Sequence, residues 1–204
     1  MDDKLVRSLL SSVPILVIAS VVLVSLLAWS SSALRLALIL IPYRVRKGQI
    51  HRLLTAGWLH VDGSHLFFNM LTLYFFAGPV AEMLGTTRFL LLYITSVVVG
   101  FIPTTLRYMK KPEYMSLGAS GAVAAVMFSA ILLVPKLKLY VMFIPIPVPG
   151  LIYALGYLAY SVWHSYQAKD NINHDAHFTG AAYGALLTYL FEPARVERTL
   201  RQLW

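Results

Sequence analysis

Three short polar segments interrupt the long apolar runs of this chain, and they carry side chains suited to acyl transfer. The first is GASG, Gly118–Gly121, which places the hydroxyl of Ser120 between glycines. The second is HVDGSHLFFN, His60–Asn69, and the third is HDAHFTGAAYG, His174–Gly184. An unpaired polar group in hydrocarbon costs several kcal/mol, so polar residues within apolar runs are candidates for function.

Ser120 and His177 have the chemistry of a nucleophile and its base. A serine hydroxyl becomes strongly nucleophilic when an imidazole about 3 Å away accepts its proton. His65 and Asn69 are four residues apart, so they share one face of a helix, and both can donate hydrogen bonds. Together with the backbone N–H of Ser120 near a helix start, they would form an oxyanion hole. These parts predict acyl transfer.

The glycines around these residues predict close helix packing. His177, Gly180 and Gly184 are spaced i, i+3 and i+7, which places them on one helix face. The two glycines form a G-x-x-x-G pattern, which lets a second backbone come very close. Gly121 and the alanines after it offer a matching small surface on the helix that follows Ser120. We therefore expect these two helices to pack together and to bring the serine and the histidine into contact.

The elements that position these residues are predicted to be membrane-spanning helices. The 204 residues are 58% hydrophobic and only 13% charged, with a mean hydropathy of +0.69, whereas soluble domains carry roughly 25% charged residues. Apolar stretches close to the roughly 20 residues needed to cross a bilayer recur along the chain. We predict an all-α polytopic membrane protein in which residues 1–204 form a single bundle of six transmembrane helices. The predicted spans are Val13–Trp29, Leu66–Leu84, Phe89–Leu106, Leu117–Val134, Pro149–Tyr166 and Ala176–Phe191.

The order of these helices determines which side each polar segment faces. Helices that alternate in direction place the starts of the second, fourth and sixth on the same side, so the three polar segments should lie at a similar shallow depth. An even number of spans also places both termini on one side, which we predict to be cytoplasmic. The 17 Lys and Arg residues divide almost equally between the two sides, so the positive-inside rule does not decide the orientation.

The loops indicate which partners the chain contacts. The first loop contains an apolar piece, Leu34–Ile41, that Arg35 interrupts and Pro42 ends, so we expect it to lie in the membrane interface. The net charge of +8 lies in the loops, which favours contact with lipid headgroups and not with nucleic acid. The chain has no cysteine, so disulfides and cysteine metal ligands are excluded.

Each motif taken alone has an ordinary structural interpretation. Ser120 fits a helix N-cap. His177, and the pair His65 and Asn69, fit contacts between helices. Asp175 lies two residues before His177, on another side of the helix, so it fits a helix cap better than the acid of a triad.

Two other protease classes are disfavoured, and two functions without peptide cleavage stay open. The zinc motif H-E-x-x-H is absent, and no aspartate lies within the six predicted spans, as an intramembrane aspartyl protease would need. The chain could still be a non-cleaving binder of transmembrane helices, or a histidine-based transporter or proton relay.

Taken together, the motifs resemble the rhomboid intramembrane serine proteases. The match rests on GASG, HLFFN (His65–Asn69) and AHFTGAAYG (Ala176–Gly184), which occur in the family's order over essentially the whole chain. The resemblance implies that Ser120 is the nucleophile and His177 the base and then the acid, with no third acid. It also implies that His65 and Asn69 are oxyanion donors.

The resemblance carries further expectations about the surroundings of the site. His60 resembles an additional family histidine near the outer mouth. Transmembrane proteins would be the substrates, reaching the site between the second and fifth helices beneath a cap formed by Gln167–Asp175. Neither a cofactor nor a metal is implied, and the expected location is a bacterial plasma membrane.

The chain departs from the family pattern at two places. Where the family often has Trp-Arg in the first loop, this chain has His51 and Arg52, which leaves the anchoring of that loop to be determined. Where many members place a tyrosine four residues after the serine, this chain has Ala124. Either another side chain positions His177, or its ring is held more loosely.

Overall fold

The chain is mostly helical, and a helix lies over each of the six predicted segments. The computed structural model describes residues 3–140, 146–167 and 173–202. The helices are α1 (Asp3–Ser30), α2 (Ser32–Leu38), α3 (Pro42–Arg46), α4 (Arg52–Thr55), α5 (Gly63–Leu84), α6 (Thr86–Tyr108), α7 (Ser120–Leu133), α8 (Gly150–Gln167), α9 (His174–Phe191) and α10 (Pro193–Arg201). A 3-10 turn at Ala56–Trp58 follows α4, and two short strands, β1 (Lys138–Tyr140) and β2 (Pro147–Pro149), lie between α7 and α8.

Three of these helices are long and apolar enough to cross a membrane by length and composition. They are α5, α6 and the segment Ser12–Ser30 of α1. In the most apolar stretch of each, only 28% to 44% is buried inside the protein. The remaining apolar surface faces outwards, as lipid contact requires. The helices α7 and α8 contain shorter apolar segments, Ser120–Leu133 and Gly150–Trp163.

The first loop is folded, and a buried arginine anchors it. Arg52 at the start of α4 is only 3% exposed. Its Nη1 donates hydrogen bonds to the carbonyl oxygens of Leu36 (2.8 Å) and Ile39 (2.6 Å), and its Nε donates to Oε1 of Gln49 (2.7 Å). The planar guanidinium thus ties α4 to the segment around the end of α2. The anchor that the sequence left undetermined is Arg52.

We expect Arg52→Ala to lower the free energy of unfolding by about 3 kcal/mol or more, because it leaves buried carbonyl groups without their donor. Thermal unfolding in detergent would measure the loss. Arg46→Ala is the matched control, since Arg46 lies in the same loop and is exposed. Equal melting temperatures for the two variants would contradict the anchoring role.

The central element is α7, which is buried on all sides. Nearly every residue from Gly121 to Leu133 is buried against α5, α6 or α9. The close contact with α9 depends on glycine. A Cβ added at Gly180 would lie 2.1 Å from the carbonyl oxygen of Gly121, and one added at Gly184 would lie 2.5 Å from Cα of Ala125. The two backbones therefore touch, as the G-x-x-x-G pattern predicted.

The connections on either side of α8 are described to different extents. Between α7 and α8, β2 pairs antiparallel with β1, with Leu139 opposite Val148. The backbone N–H of Gly150 then donates to Leu137 O (2.7 Å), which fixes the start of α8. Of the expected cap at 167–175, residues 168–172 lie outside the described part of the chain.

Candidate active site

The hydroxyl of Ser120 and the imidazole of His177 are in hydrogen-bond contact. Ser120 Oγ lies 2.6 Å from His177 Nε2, although the residues are 57 positions apart in the chain. Ser120 is the first residue of α7, and His177 lies in the first turn of α9. Both side chains are partly accessible, so the pair is open to another molecule.

Neither Ser120 nor Asp175 caps its helix. The N-cap of α7 is Ala119, which makes no side-chain capping bond, so the cap interpretation of Ser120 is wrong. The N-cap of α9 is Asn173, so the cap interpretation of Asp175 is wrong as well. The carboxylate of Asp175 instead pairs with Arg107 of α6 at 2.9 Å. This ion pair ties the start of α9 to α6.

Asn173 joins the elements that carry the serine and the histidine. Its Oδ1 accepts hydrogen bonds from the backbone N–H of Ala176 (3.0 Å) and from Oγ1 of Thr104 on α6 (2.7 Å). Its Nδ2 donates to Oγ of Ser116 (2.9 Å), four residues before Ser120. Asn173 therefore fixes the start of α9 against both α6 and the segment that leads into α7.

The two predicted oxyanion donors lie on α5 beside the serine. Nδ2 of Asn69 donates one hydrogen bond to His65 O at 3.1 Å, and an amide nitrogen has a second hydrogen to offer. The imidazole of His65 turns its Cε1–Nε2 edge towards Gly118. Asn69 thus bonds within its own helix, whereas the ring of His65 lies against a segment outside α5.

Gly118 and Gly121 allow close approaches on either side of Ser120. Gly118 has a φ of +126°, a conformation that side chains rarely adopt, and a Cβ there would lie 2.9 Å from Cε1 of His65. A Cβ at Gly121 would lie 2.9 Å from the carbonyl oxygen of Ala176 on α9. Glycine at these positions lets His65 approach from one side and α9 from the other.

His60 packs against His65 and is hydrogen-bonded to Ser25 of α1. Its ring is 2% exposed and lies edge-on to His65, with 4.9 Å between ring centroids. Ser25 Oγ on α1 donates to Trp58 O (2.8 Å), so Nδ1 of His60 is the donor to Ser25 Oγ at 3.0 Å. Burial lowers the pKa of His60 to about 3, so the ring stays neutral at physiological pH.

A cavity of about 450 Å³ opens onto the serine and histidine. Its walls come from α5, α7, α8 and α9, and its lining is mostly apolar. Among its lining residues are Ser120, His177, His65, Asn69, Ala124 and Tyr157. Within residues 3–140, 146–167 and 173–202, no group of three or more His, Asp or Glu side chains is arranged to hold a metal ion.

Sequence reasoning missed two residues at this site, Asn173 and Tyr157. Asn173 lay in a polar connection, where an asparagine is usual, and two of its three partners, Thr104 and Ser116, come from distant positions. The ring of Tyr157 on α8 stacks near His177, with 6.2 Å between centroids and 22° between planes. A signal was available for Tyr157, because Tyr153, Tyr157 and Tyr160 recur at helical spacing on one face of α8. The ring of Tyr160 contacts His174, with 5.7 Å between centroids.

The fold and the site define a helical protein with outward-facing apolar surfaces and a serine–histidine pair in a cavity between helices. Comparison with known proteins gives the family. The sequence profile of the Rhomboid domain matches residues 47–194. The chain belongs to the rhomboid family of membrane proteins.

Individual relatives agree with this assignment. The chain is 35% identical over 150 residues to the Putative rhomboid protease YdcA of Bacillus subtilis, covering 72% of this chain and 69% of that protein. It is 31% identical over 160 residues to RHOMBOID-like protein 12, mitochondrial, of Arabidopsis thaliana (69% of this chain, 46% of the relative). It is 28% identical over 152 residues to Rhomboid protein 1, mitochondrial, of Saccharomyces cerevisiae (72% and 44%). The chain thus spans less than half the length of the two mitochondrial relatives.

Proposed function

We propose that this protein is an intramembrane serine endopeptidase that cleaves transmembrane segments of other proteins through a Ser120–His177 dyad. The observation that carries the proposal is the 2.6 Å contact between Ser120 Oγ and His177 Nε2 in a cavity that also holds His65 and Asn69. A nucleophile, a base and donors for an oxyanion are thereby within reach of one bound carbonyl group. Membership of a family that includes serine proteases supports the same reaction.

The reaction divides into two steps that use the same pair of side chains. Ser120 Oγ attacks the carbonyl carbon of the substrate while Nε2 of His177 accepts the hydroxyl proton. This role requires the tautomer of His177 that carries its hydrogen on Nδ1. The resulting imidazolium gives the proton to the leaving amine, and the substrate's acyl group stays on Ser120 as an ester. Water activated by His177 then hydrolyses that ester and restores the hydroxyl.

The oxyanion that forms in each step needs donors already in place. The second hydrogen of Asn69 Nδ2, a ring nitrogen of His65 and the backbone N–H of Ser120 supply them. The N–H of Ser120 belongs to the first turn of α7, where backbone N–H groups have no partner within the helix and the helix dipole favours negative charge. Removing one such donor from a protease costs about 3 kcal/mol of transition-state stabilisation.

The dimensions of α7 suggest how the site lies relative to the membrane. Its 14 residues give a length of about 21 Å, shorter than the roughly 30 Å of hydrocarbon in a bilayer. With its far end at the opposite interface, Ser120 would lie below the near surface while staying reachable by water. A helical substrate has its amides hydrogen-bonded and shielded, so it would have to unwind before attack.

The location and topology of the protein are also proposals. We propose six spans, with α7, α8 and α9 crossing together with the three longer helices, and both termini on the cytoplasmic side. We retain the bacterial plasma membrane as the proposed location. Two of the relatives carry mitochondrial names, so a mitochondrial membrane is the competing location.

Labelling with a fluorophosphonate probe in detergent tests the proposed chemistry, because the probe reacts only with an activated serine. We expect the native chain to be labelled at Ser120, and Ser120→Ala and His177→Ala to be labelled at background level. Mass spectrometry of the labelled peptide identifies the modified residue. Equal labelling of all three proteins would overturn the protease proposal.

The same set of variants separates the two competing functions. If the native chain is not labelled but transmembrane segments still co-purify with it, the non-cleaving binder is correct. If ion flux through reconstituted liposomes is lost in His177→Ala, the relay is correct.

A further inference from the structure

The helix α8 presents a row of tyrosine rings to the histidines of α9. Tyr153, Tyr157 and Tyr160 follow one another at i, i+4 and i+7 along α8. The ring of Tyr157 lies nearly parallel to the imidazole of His177, at 6.2 Å between centroids and 22° between planes. Tyr153 in turn stacks on Tyr157 at 6.1 Å and 26°. One face of the His177 ring is therefore turned towards a stack of two tyrosines.

A second ring contact restrains the same imidazole from another direction. His174 lies one turn before His177 on α9, with 5.9 Å between the centroids and 74° between the planes. Tyr160 of α8 meets the His174 ring edge-on, at 5.7 Å and 73°. Two tyrosines of α8 thus contact two histidines of α9, and α8 is part of the environment that sets the orientation of His177.

The small side chain of Ala124 explains why a ring from α8 can occupy this place. Ala124 lies one turn after Ser120 on α7, and it is buried in a cluster with Met127 and Phe128. Tyr157 packs against that cluster, with 5.7 Å between its centroid and that of Phe128. A large side chain at 124 would compete with Tyr157 for the space beside His177. The alanine on α7 and the tyrosine on α8 are complementary.

We propose that Tyr157 is the positioning residue of the base: its ring holds the imidazole of His177 so that Nε2 faces Ser120 Oγ. This inference rests on the proposed protease function. It makes the reactivity of Ser120 depend on a helix that carries neither the nucleophile nor the base. A rotation of the His177 ring by a few tens of degrees moves Nε2 off the hydroxyl, and a displacement of about 1 Å can lower a rate about 100-fold.

The test compares Tyr157→Leu, Tyr157→Met and Tyr157→Phe with the native chain. We expect the leucine and methionine variants to react with the fluorophosphonate about 10 to 100 times more slowly. With a transmembrane peptide in liposomes, we expect kcat to fall by a similar factor while KM stays within about threefold, because Tyr157 acts through His177 and not through substrate binding. Tyr157→Phe keeps the ring, so it should react within about threefold of the native rate.

Tyr189→Leu is the matched control, since the same replacement removes a ring that is 42% exposed, lies twelve residues after His177 on α9 and does not line the cavity. We expect this variant to retain most of its labelling rate. Thermal unfolding shows which variants fold, and methionine provides a second apolar replacement if leucine does not. A native labelling rate in a folded leucine or methionine variant would overturn the inference. So would equal losses for Tyr189→Leu and Tyr157→Leu.

Failure of this inference and failure of the proposed function give different results. A native chain that the probe does not label overturns the protease proposal, and the inference about Tyr157 fails with it. A labelled native chain together with an equally reactive Tyr157→Leu overturns only the positioning role. If Tyr157→Phe loses as much labelling rate as Tyr157→Leu, the effect belongs to the hydroxyl of Tyr157, and the role of its ring is overturned as well.

Discussion

Ser120→Ala is expected to lower the rate of peptide-bond cleavage by about 10⁴-fold or more, because without its nucleophile the pair cannot form an acyl-enzyme. The walls of the cavity stay intact, so we expect a transmembrane substrate to bind with an unchanged Kd. Cleavage of a fluorogenic transmembrane peptide in liposomes measures the first quantity, and energy transfer between labelled enzyme and substrate measures the second. The separation of the two effects distinguishes a protease from a non-cleaving binder.

The helix that carries Ser120 also provides the control for this experiment. Ser129 lies nine residues further along α7, is fully buried, and its Oγ has no hydrogen-bond partner among the described residues. We expect Ser129→Ala to cleave at close to the native rate. Comparable cleavage by Ser120→Ala and the native chain would mean that another group is the nucleophile. A large loss in both alanine variants would point to damage to α7.

Gly180→Ala is expected to destabilise the protein by about 3 kcal/mol or more and to stop probe labelling, because the new methyl group collides with backbone. A Cβ at Gly180 would lie 2.1 Å from the carbonyl oxygen of Gly121, the residue directly after Ser120. Neither backbone can move aside without separating α9 from α7. The same reasoning applies to Gly184, whose Cβ would lie 2.5 Å from Cα of Ala125. Thermal unfolding and probe labelling measure the two consequences.

Two other helical glycines supply matched controls for the packing prediction. A Cβ at Gly78 on α5 or at Gly156 on α8 would meet no atom within 4 Å. Alanine is favoured over glycine in a helix by about 1 kcal/mol, so we expect Gly78→Ala and Gly156→Ala to be as stable as the native chain or slightly more stable. If Gly180→Ala has the same melting temperature as these controls, α7 and α9 tolerate a wider spacing.

The arrangement explains why the glycines belong to the chemistry as well as to the packing. Ser120 and His177 extend from neighbouring helices with side chains of moderate length, so their contact at 2.6 Å requires the two backbones to lie very close together. Gly121 and Gly180 permit that approach. Asn173 adds lateral restraint by joining the start of α9 to Thr104 and Ser116. The glycines thus control the distance between α7 and α9, and Asn173 controls the lateral position of the start of α9.

The sequence alone determined where the helices lie and which residues face one another across α7 and α9. Runs of about 20 apolar residues are visible without knowledge of their neighbours, because each helix satisfies its own backbone hydrogen bonds. The pattern of His177, Gly180 and Gly184 was equally local, since three residues on one face of one helix already specify a surface for close contact. The six segments and the expected contact between Ser120 and His177 could therefore be derived before any coordinates.

Only the tertiary structure decided which side chains hold these residues in place. Asn173 and not Asp175 caps α9, Arg52 anchors the first loop, and Tyr157 reaches His177 from a third helix. Arg52 and Tyr157 depend on partners from other elements, and Asn173 also bonds to Thr104 and Ser116, which are distant in sequence. In a membrane protein both the lipid-facing and the protein-facing sides of a helix are apolar, so hydropathy does not show which face meets which neighbour. The spacing of the α8 tyrosines gave their common face, and only the packed bundle showed that the histidines of α9 lie against it.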